Sequence, residues 1–297
     1  MNLLTSVEQP EEAPRDAASI IVLRPAASGF DVLLMRRHGN SKVLGGAYVF
    51  PGGKLDADDR RVPPERLAQT GQALCEALGE SGTQAEDAQS LFSAAIRETL
   101  EECGILYLEG ADQARAEAAR QALSDGLSWS AWAAQQDGML LTSSLVPWSR
   151  WITPKASLMM SKRFDTRFFV AVLPANQSAI HDGHEATALE WLTPQAALAL
   201  YEQGEIDMAP PQIMTLLDLS RFSHPEQVLD HARGRPSPLI QPHHFEVDGA
   251  RVLAFPGDEQ HELQAPAWPG STRIYYRNGR FGDASGSVLA MLNALNP

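Results

Sequence analysis

The chain has 297 residues, with 24 Lys and Arg against 37 Asp and Glu, so its formal charge is −13. This length allows one domain with insertions or two smaller domains. A content of 44% hydrophobic and 21% charged residues is ordinary for a globular protein and excludes a wholly disordered chain. The acidity argues against nucleic acid or an anionic membrane as partner, because phosphate contacts need a basic surface.

Targeting and redox features of the sequence indicate a cytoplasmic protein. Residues 1–18 carry acidic residues and prolines without the basic and apolar regions of a signal peptide, and we expect a disordered leader. Cys75 and Cys103 are too few for a disulfide framework. The longest apolar runs are strand-sized, too short to span a membrane.

The hydrophobic pattern predicts strands on both sides of one informative helix, which extends from Glu86 to Cys103 with Gly104 as its C-cap. A polar stretch at about residues 60–85 is expected to be an irregular insertion. Predicted strands cover residues 19–24, 30–37, 47–50, 145–153, 163–173 and 188–192. Further helices are predicted within 111–138 and over 194–203 and 210–222, and short strand-like pieces at 251–255 and 273–277. This mixed order indicates an α/β protein without regular βαβ repeats.

Three glutamates share one face of the central predicted helix. Glu98, Glu101 and Glu102 are neighbours, because positions i, i+3 and i+4 lie together on a helix. The opposite face is apolar and would pack on a sheet: Phe92, Ile96, Leu100 and Cys103. Crowded carboxylates repel each other unless a cation lies between them, and a hard divalent metal such as Mg²⁺ or Mn²⁺ prefers oxygen ligands.

A simpler interpretation of the glutamates is a solvated helix face, which is the usual meaning of paired glutamates. The context favours a site instead. Arg97 stands beside the cluster and can hold a carboxylate through two hydrogen bonds. The preceding strand also runs into Pro51-Gly52-Gly53, a turn whose backbone can approach a ligand closely.

These residues resemble the Nudix signature, in which a glycine and a glutamate precede a conserved Arg-Glu-x-x-Glu-Glu block. Gly53 takes the first position, and the segment from Arg97 to Ile105 takes the second block. Thr99 replaces an aliphatic residue there. Asp59 stands where the signature has glutamate, and a long insertion follows it. Such an insertion costs little if the ends of the loop remain close together.

Segments outside the signature are similar to one branch of the Nudix hydrolases. Residues 33–37, Lys42 and Gly46 precede Phe50-Pro51-Gly52-Gly53 with the spacing of the coenzyme A diphosphatase motif. The long insertion inside the box resembles the Nudix motif 19 branch. Further resemblances lie at residues 151–154, 163–169, 210–212 and 256–259.

The resemblance implies an α/β/α Nudix sandwich with an insertion inside the Nudix box and a helical C-terminal extension. Residues 19–225 would form the Nudix domain, and residues 226–297 would pack on it. The implied reaction is hydrolysis of a diphosphate linkage with Mg²⁺ or Mn²⁺. Coenzyme A or acyl-coenzyme A would give adenosine 3′,5′-bisphosphate and (acyl-)4′-phosphopantetheine. ADP-ribose or a dinucleotide as substrate, and a non-catalytic nucleotide-sensing module, remain alternatives.

The resemblance also implies roles for individual residues. Glu98, Glu101 and Glu102 would bind the metal near the Gly53 backbone. Arg97 would orient the glutamates with Asp59 as its partner. Glu185 is the candidate general base or an additional metal ligand, in a segment where His181 and His184 are more typical of a turn than of a zinc site.

A basic stretch near the box favours an anionic small molecule as ligand. The chain has no acidic residue between Asp31 and Asp56. Candidate substrate-binding residues are Arg36, Arg37, Lys42, Phe50, Gly52 and Gly53. A solubilising loop is the alternative explanation of the basic residues. We expect a nucleotide diphosphate as partner, neither nucleic acid nor membrane, and leave a homodimer open.

Overall fold

The computed structural model describes residues 13–27, 29–39, 45–154, 163–181 and 186–295. Within them, eight strands form a central mixed sheet: β1 (Arg15–Ala26), β2 (Gly29–Arg37), β3 (Tyr48–Val49), β4 (Gly52–Lys54), β5 (Val146–Ile152), β6 (Phe164–Val172), β7 (Ala186–Leu192) and β8 (Leu239–Ile240). The main path is β3-β2-β1-β6-β5-β8, while β4 pairs with β1 and β7 with β2. β1 and β6 are parallel, and β1 and β2 are antiparallel.

Helices cover both faces of this sheet. One face carries α1 (Gly71–Leu78), α2 (Ala85–Cys103), α3 (Gln113–Ser124) and α4 (Trp129–Ala134), which contribute to one hydrophobic core. The other face carries α5 (Pro194–Gln203), α6 (Pro210–Leu219), α7 (Pro225–Arg233) and α8 (Val288–Leu295), which contribute to a second. The predicted α/β/α arrangement is therefore confirmed.

The central strand β1 shows why two cores form. All residues from 17 to 23 are buried, as expected for a strand covered on both faces. Successive side chains of a strand point to opposite faces, so Ile20 and Val22 belong to the core on the α2 side. Ile21 and Leu23 belong to the core on the α5–α8 side.

Two predicted boundaries change in the structure. β1 begins at Arg15, inside the segment expected to be a disordered leader, because Arg15–Ala18 pair with β6. The box insertion is also not irregular, since it contains α1, with Thr70 as N-cap and Gly79 in the left-handed conformation after its last turn. Glu80 then anchors the insertion to the sheet.

The contacts of Glu80 are buried ion pairs with two neighbouring strands. Its carboxylate accepts hydrogen bonds from Arg167 of β6 at 3.0 and 2.8 Å, and Arg150 of β5 lies 3.0 Å away. Arg167 also pairs with Asp16 and Asp165. Arg167 therefore joins the insertion to β1 and β6.

The prediction of a helical C-terminal extension is wrong. It contains an antiparallel sheet in the order β12-β11-β10-β9, formed by β9 (His243–Val247), β10 (Ala250–Ala254), β11 (Arg273–Arg277) and β12 (Arg280–Gly282). The strand-like pieces predicted at 251–255 and 273–277 correspond to β10 and β11. The short strands lack the 3.6-residue periodicity of a helix. Within the described part of the extension, the helices are α7 and α8, on either side of the sheet. Among the described residues, no helix combines the length and apolarity needed to cross a membrane.

Candidate active site

The predicted glutamate face lies in the last turns of α2, where two of the three side chains are buried. Glu98 is 9% exposed and Glu102 is 2% exposed, whereas the Glu101 side chain is 40% exposed. The interpretation of a solvated helix face is therefore wrong for Glu98 and Glu102. α2 ends as predicted, at Gly104 in the left-handed conformation, whose N–H bonds to the Leu100 carbonyl.

Arg97 organises this face through its guanidinium group. Its Nε donates to Asp59 Oδ1 at 2.9 Å and its Nη2 to Asp59 Oδ2 at 2.8 Å, which confirms the predicted partnership. Its Nη1 lies 2.9 Å from Glu98 Oε1 and 3.0 Å from Glu101 Oε2. Its Nη2 also donates to the Lys54 carbonyl at 3.3 Å. One side chain thus joins the start of the insertion, β4 and two of the three glutamates.

The Gly52-Gly53 turn lies against the same glutamates. The Gly52 N–H donates to Glu102 Oε2 at 2.7 Å, and Gly52 has a φ of +151°. A Cβ on Gly52 would lie 2.4 Å from the Ala18 carbonyl oxygen, and a Cβ on Gly53 would lie 2.5 Å from the Glu98 carboxyl carbon. Gly52 requires glycine because the backbone of β1 lies too close for a side chain, whereas a side chain at Gly53 would displace the Glu98 carboxylate.

Burial changes the titration of the paired groups. Burial raises the pKa of Glu98 to about 7, while Arg97 opposes this shift and Glu101 adds to it. For Arg97, burial lowers the pKa, but the hydrogen bonds to Asp59 and the charge of Glu98 outweigh it and the pKa is raised. Arg97 therefore stays charged, and a negative charge on the buried Glu98 is costly even with Arg97 beside it.

The donor set fits a hard divalent cation. Among the described residues, no three His, Cys, Asp or Glu side chains are grouped as a metal site, and here Arg97 binds Glu98 and Glu101. Carboxylate oxygens beside a backbone turn are nevertheless the ligands that Mg²⁺ and Mn²⁺ prefer. The buried Glu102 and Glu98 would gain from such a cation, because each buried carboxylate loses the solvation of water.

A cavity of about 1000 Å³ opens beside the glutamates. Its charged end is lined by Lys54, Arg97, Glu98, Glu101 and Glu102. Its remaining walls are mostly apolar and come from β5, β6, the start of α6 and the C-terminal sheet, with Trp151, Phe164, Phe168, Pro211 and Leu253 among them. The size is at the upper end for a small-molecule site, so the cavity has room for far more than a diphosphate.

The predicted substrate-binding residues divide into three groups. Arg37, Phe50, Gly52 and Gly53 line the cavity, and Phe50 packs edge-on against Phe168 at 6.2 Å between ring centroids. Arg36 is exposed and does not line the cavity, because neighbouring residues of β2 point to opposite faces. Lys42 and the candidate base Glu185 lie outside the described residues.

Several lining residues were not predicted from the sequence. Lys54 belongs to the basic stretch but was not assigned to the site. Gln212 is 5% exposed and lines the cavity, and its buried Oε1 has no hydrogen-bond partner among the residues that the structure describes. The only sequence signal for it was the resemblance at residues 210–212. The Nε of Arg37 is likewise buried and has no partner within the described ranges.

Comparisons with known proteins agree with this geometry. A family model described as the NUDT19 Nudix domain matches residues 5–221. The chain is 28% identical over 232 residues to acyl-coenzyme A diphosphatase NUDT19 of Xenopus laevis, which covers 66% of this chain and 61% of that protein. The chain thus spans less than two thirds of the length of that relative. The corresponding protein of Gallus gallus is 29% identical over 261 residues, covering 70% and 68%.

Among solved structures, a NUDIX hydrolase from Alicyclobacillus acidocaldarius superposes with a TM-score of 0.58. It is 26% identical and covers 76% of this chain and 97% of its own. A superposition over 76% of this chain is more extensive than a shared local motif would produce.

Proposed function

Because the chain belongs to the Nudix hydrolase family, in the branch described as the NUDT19 Nudix domain, we propose that it hydrolyses a diphosphate linkage in a nucleoside diphosphate derivative. The observation that carries this proposal is the joint position of Arg97, the glutamates and the Gly52-Gly53 turn. They lie together at the charged end of a cavity large enough for a nucleotide derivative.

Glu98, Glu101 and Glu102, with the Gly53 backbone, are the proposed holders of Mg²⁺ or Mn²⁺. When bound, the cation would neutralise the diphosphate charge and acidify the attacking water. Arg97 orients Glu98 and Glu101 through the hydrogen bonds described above, and the Gly52 N–H orients Glu102. These fixed positions reduce the reorganisation needed when a charged substrate arrives.

Other residues of the chain have proposed roles in binding and proton transfer. Arg37 and Lys54 line the cavity and place positive charge where a diphosphate would lie. Phe50 supplies an apolar surface beside them. Glu185, which directly precedes β7 in the sequence, is the proposed general base, and its carboxylate would accept the proton of the attacking water.

The proposed substrate is coenzyme A or acyl-coenzyme A, giving adenosine 3′,5′-bisphosphate and (acyl-)4′-phosphopantetheine. The names of the two vertebrate relatives support it, as do the motif around residues 33–53 and the largely apolar walls of the cavity. The proposed location is the cytoplasm.

A substrate panel tests the proposal. The purified chain is incubated with Mg²⁺, Mn²⁺ or EDTA and with coenzyme A, a fatty acyl-coenzyme A, ADP-ribose and diadenosine tetraphosphate, and the products are identified by mass spectrometry. We expect cleavage of the coenzyme A compounds with either metal and none in EDTA. Rapid turnover of ADP-ribose without cleavage of coenzyme A would contradict the proposed substrate. Failure to hydrolyse any compound would favour a nucleotide sensor.

A variant of one glutamate tests the metal assignment. Glu102→Gln should lower turnover about 100-fold and weaken the metal-induced rise in melting temperature. Glu86→Gln removes a charge from the other end of α2 and should change neither quantity. Wild-type turnover of Glu102→Gln at saturating Mg²⁺ would contradict the assignment.

A further inference from the structure

The C-terminal sheet presents one of its faces to the cavity. In an antiparallel sheet, directly paired residues project from the same face. Arg251 of β10 pairs with Tyr276 of β11, and Leu253 pairs with His244 of β9. Most of the cavity-lining residues of the sheet lie on this face, namely His244, Glu246, Arg251, Leu253, Tyr276 and Phe281, while Phe245 and Val252 line the cavity from the opposite face. This sheet lies outside residues 5–221, the region matched by the family model.

The polarity of this face is divided. Arg251 and Glu246 are exposed and directly opposite each other, so their charges offset. Leu253 and Tyr276 are half-buried, and Phe281 is buried with its ring centroid 4.9 Å from that of Tyr276. Leu253 and Tyr276 thus leave apolar surface facing the cavity. Both side chains pack against the second hydrophobic core.

Other walls of the cavity are apolar as well. Trp151 of β5 and Phe168 of β6 line the same cavity and are themselves packed in the core behind it. Gln212, at the start of α6, also lines the cavity, and its buried side-chain oxygen has no hydrogen-bond partner in the described part of the chain. A buried acceptor without a donor is costly, so this oxygen favours a ligand that brings an N–H group into an otherwise apolar space.

We propose that the cavity-facing side of the C-terminal sheet binds the acyl chain of an acyl-coenzyme A, with Leu253 and Tyr276 as its principal contacts. The proposal rests on the function proposed above and specifies its substrate class. The diphosphate occupies the charged end of the cavity, the amide-bearing arm passes Gln212, and the aliphatic end lies on Leu253 and Tyr276. The sheet thereby sets the preference for acylated over free coenzyme A.

Two adjacent tyrosines provide a matched test. Tyr276 faces the cavity, while Tyr275 is equally half-buried on the opposite face of β11 and does not line the cavity. Dissociation constants are measured by calorimetry in EDTA for palmitoyl-coenzyme A below its micellar concentration, for coenzyme A and for ADP-ribose. Tyr276→Ala should weaken palmitoyl-coenzyme A binding about tenfold and the other two by less than about twofold. Tyr275→Ala should leave all three constants unchanged.

Equal weakening of all three ligands by Tyr276→Ala, or no change in any, would overturn the proposal. Thermal melting checks that each variant is folded, and Leu253→Ser provides a second cavity-facing variant with the same expected selectivity. Hydrolysis is measured separately with Mg²⁺. If the proposed function is wrong, the wild-type protein will bind these ligands but cleave none of them. If only this inference is wrong, the protein will cleave coenzyme A compounds, but the dissociation constants of the variants will not show the expected selectivity.

Discussion

Arg97 donates two hydrogen bonds to Asp59, from a position 38 residues further along the chain. Both side chains are buried, and the pair closes the long insertion at its base, next to the glutamates. A bidentate arginine–carboxylate contact constrains both distance and orientation. The insertion can therefore be long without displacing the residues that Arg97 holds.

Asp59→Asn should weaken this arrangement, because a charged partner of a buried guanidinium is removed. We expect a loss of about 3 kcal/mol in the free energy of unfolding and a fall in turnover of about 10- to 100-fold. Urea unfolding and steady-state kinetics measure the two effects. Asp58→Asn is the control, because Asp58 neighbours Asp59 in the loop but its carboxylate binds Ser130 of α4. Unchanged kinetics in Asp59→Asn would show that Arg97 keeps its position without the Asp59 carboxylate.

Glu98→Gln should stabilise the metal-free protein at neutral and higher pH. The folded-state pKa of Glu98 is raised from 4.5 to about 7, so the folded protein loses stability as pH rises through this window. The variant cannot lose stability in this way. Its free energy of unfolding should exceed that of the wild type by an amount that grows between about pH 4.5 and 7 to about 1–3 kcal/mol. Urea titrations in EDTA at several pH values measure it. An advantage that is the same at pH 4.5 and pH 8 would refute the prediction.

Gly53→Ala should impair the site more than the fold. Its Cβ would lie 2.5 Å from the Glu98 carboxyl group, so this carboxylate must move. We expect turnover to fall about 10- to 100-fold, as for overpacking that costs about 1–3 kcal/mol. Gly39→Ala is the matched control, because a Cβ there meets nothing within 4 Å. Full activity in Gly53→Ala would mean that the position of Glu98 is not important for turnover.

Glu80→Ala should destabilise the protein without altering catalysis. Its carboxylate binds Arg150 and Arg167, which would be left as partly uncompensated buried charges. A loss of about 3 kcal/mol is expected, with turnover within about twofold of wild type at a temperature where both proteins are folded. Glu76→Ala, exposed on the same side of the insertion, should cost less than about 0.5 kcal/mol. A large fall in turnover would assign the insertion a part in the reaction.

Asp258→Asn tests the anchoring of the C-terminal sheet. Hydrogen bonds from Arg273 hold the pKa of Asp258 below its ordinary value, so this group stabilises the fold above about pH 4 and the stabilisation is lost as pH falls further. The variant should be about 1–2 kcal/mol less stable at pH 7, with a smaller difference near pH 3. Glu259→Gln, an exposed partner of the same arginine, is the control and should have little effect. A pH-independent difference would contradict the assigned cause.

Local features of the sequence were sufficient to predict the helix that carries the site. The boundaries of α2, the left-handed Gly104 and the shared face of the three glutamates follow from helical periodicity and from the conformational freedom of glycine. These depend on residues within a few positions of one another. The resemblance to the Nudix signature added the pairing of Arg97 with Asp59, which the structure confirms.

Which side chains meet in the cavity was decided by tertiary structure. Alternation in β2 implies that Arg36 and Arg37 face opposite ways, but only the pairing of β2 in the sheet determines that Arg37 faces the cavity. Tyr276 and Leu253 reach it because two short C-terminal strands pair in one register, and a shift by one residue would turn both away. Such registers depend on contacts between distant segments, so neither spacing nor periodicity along the chain contains them.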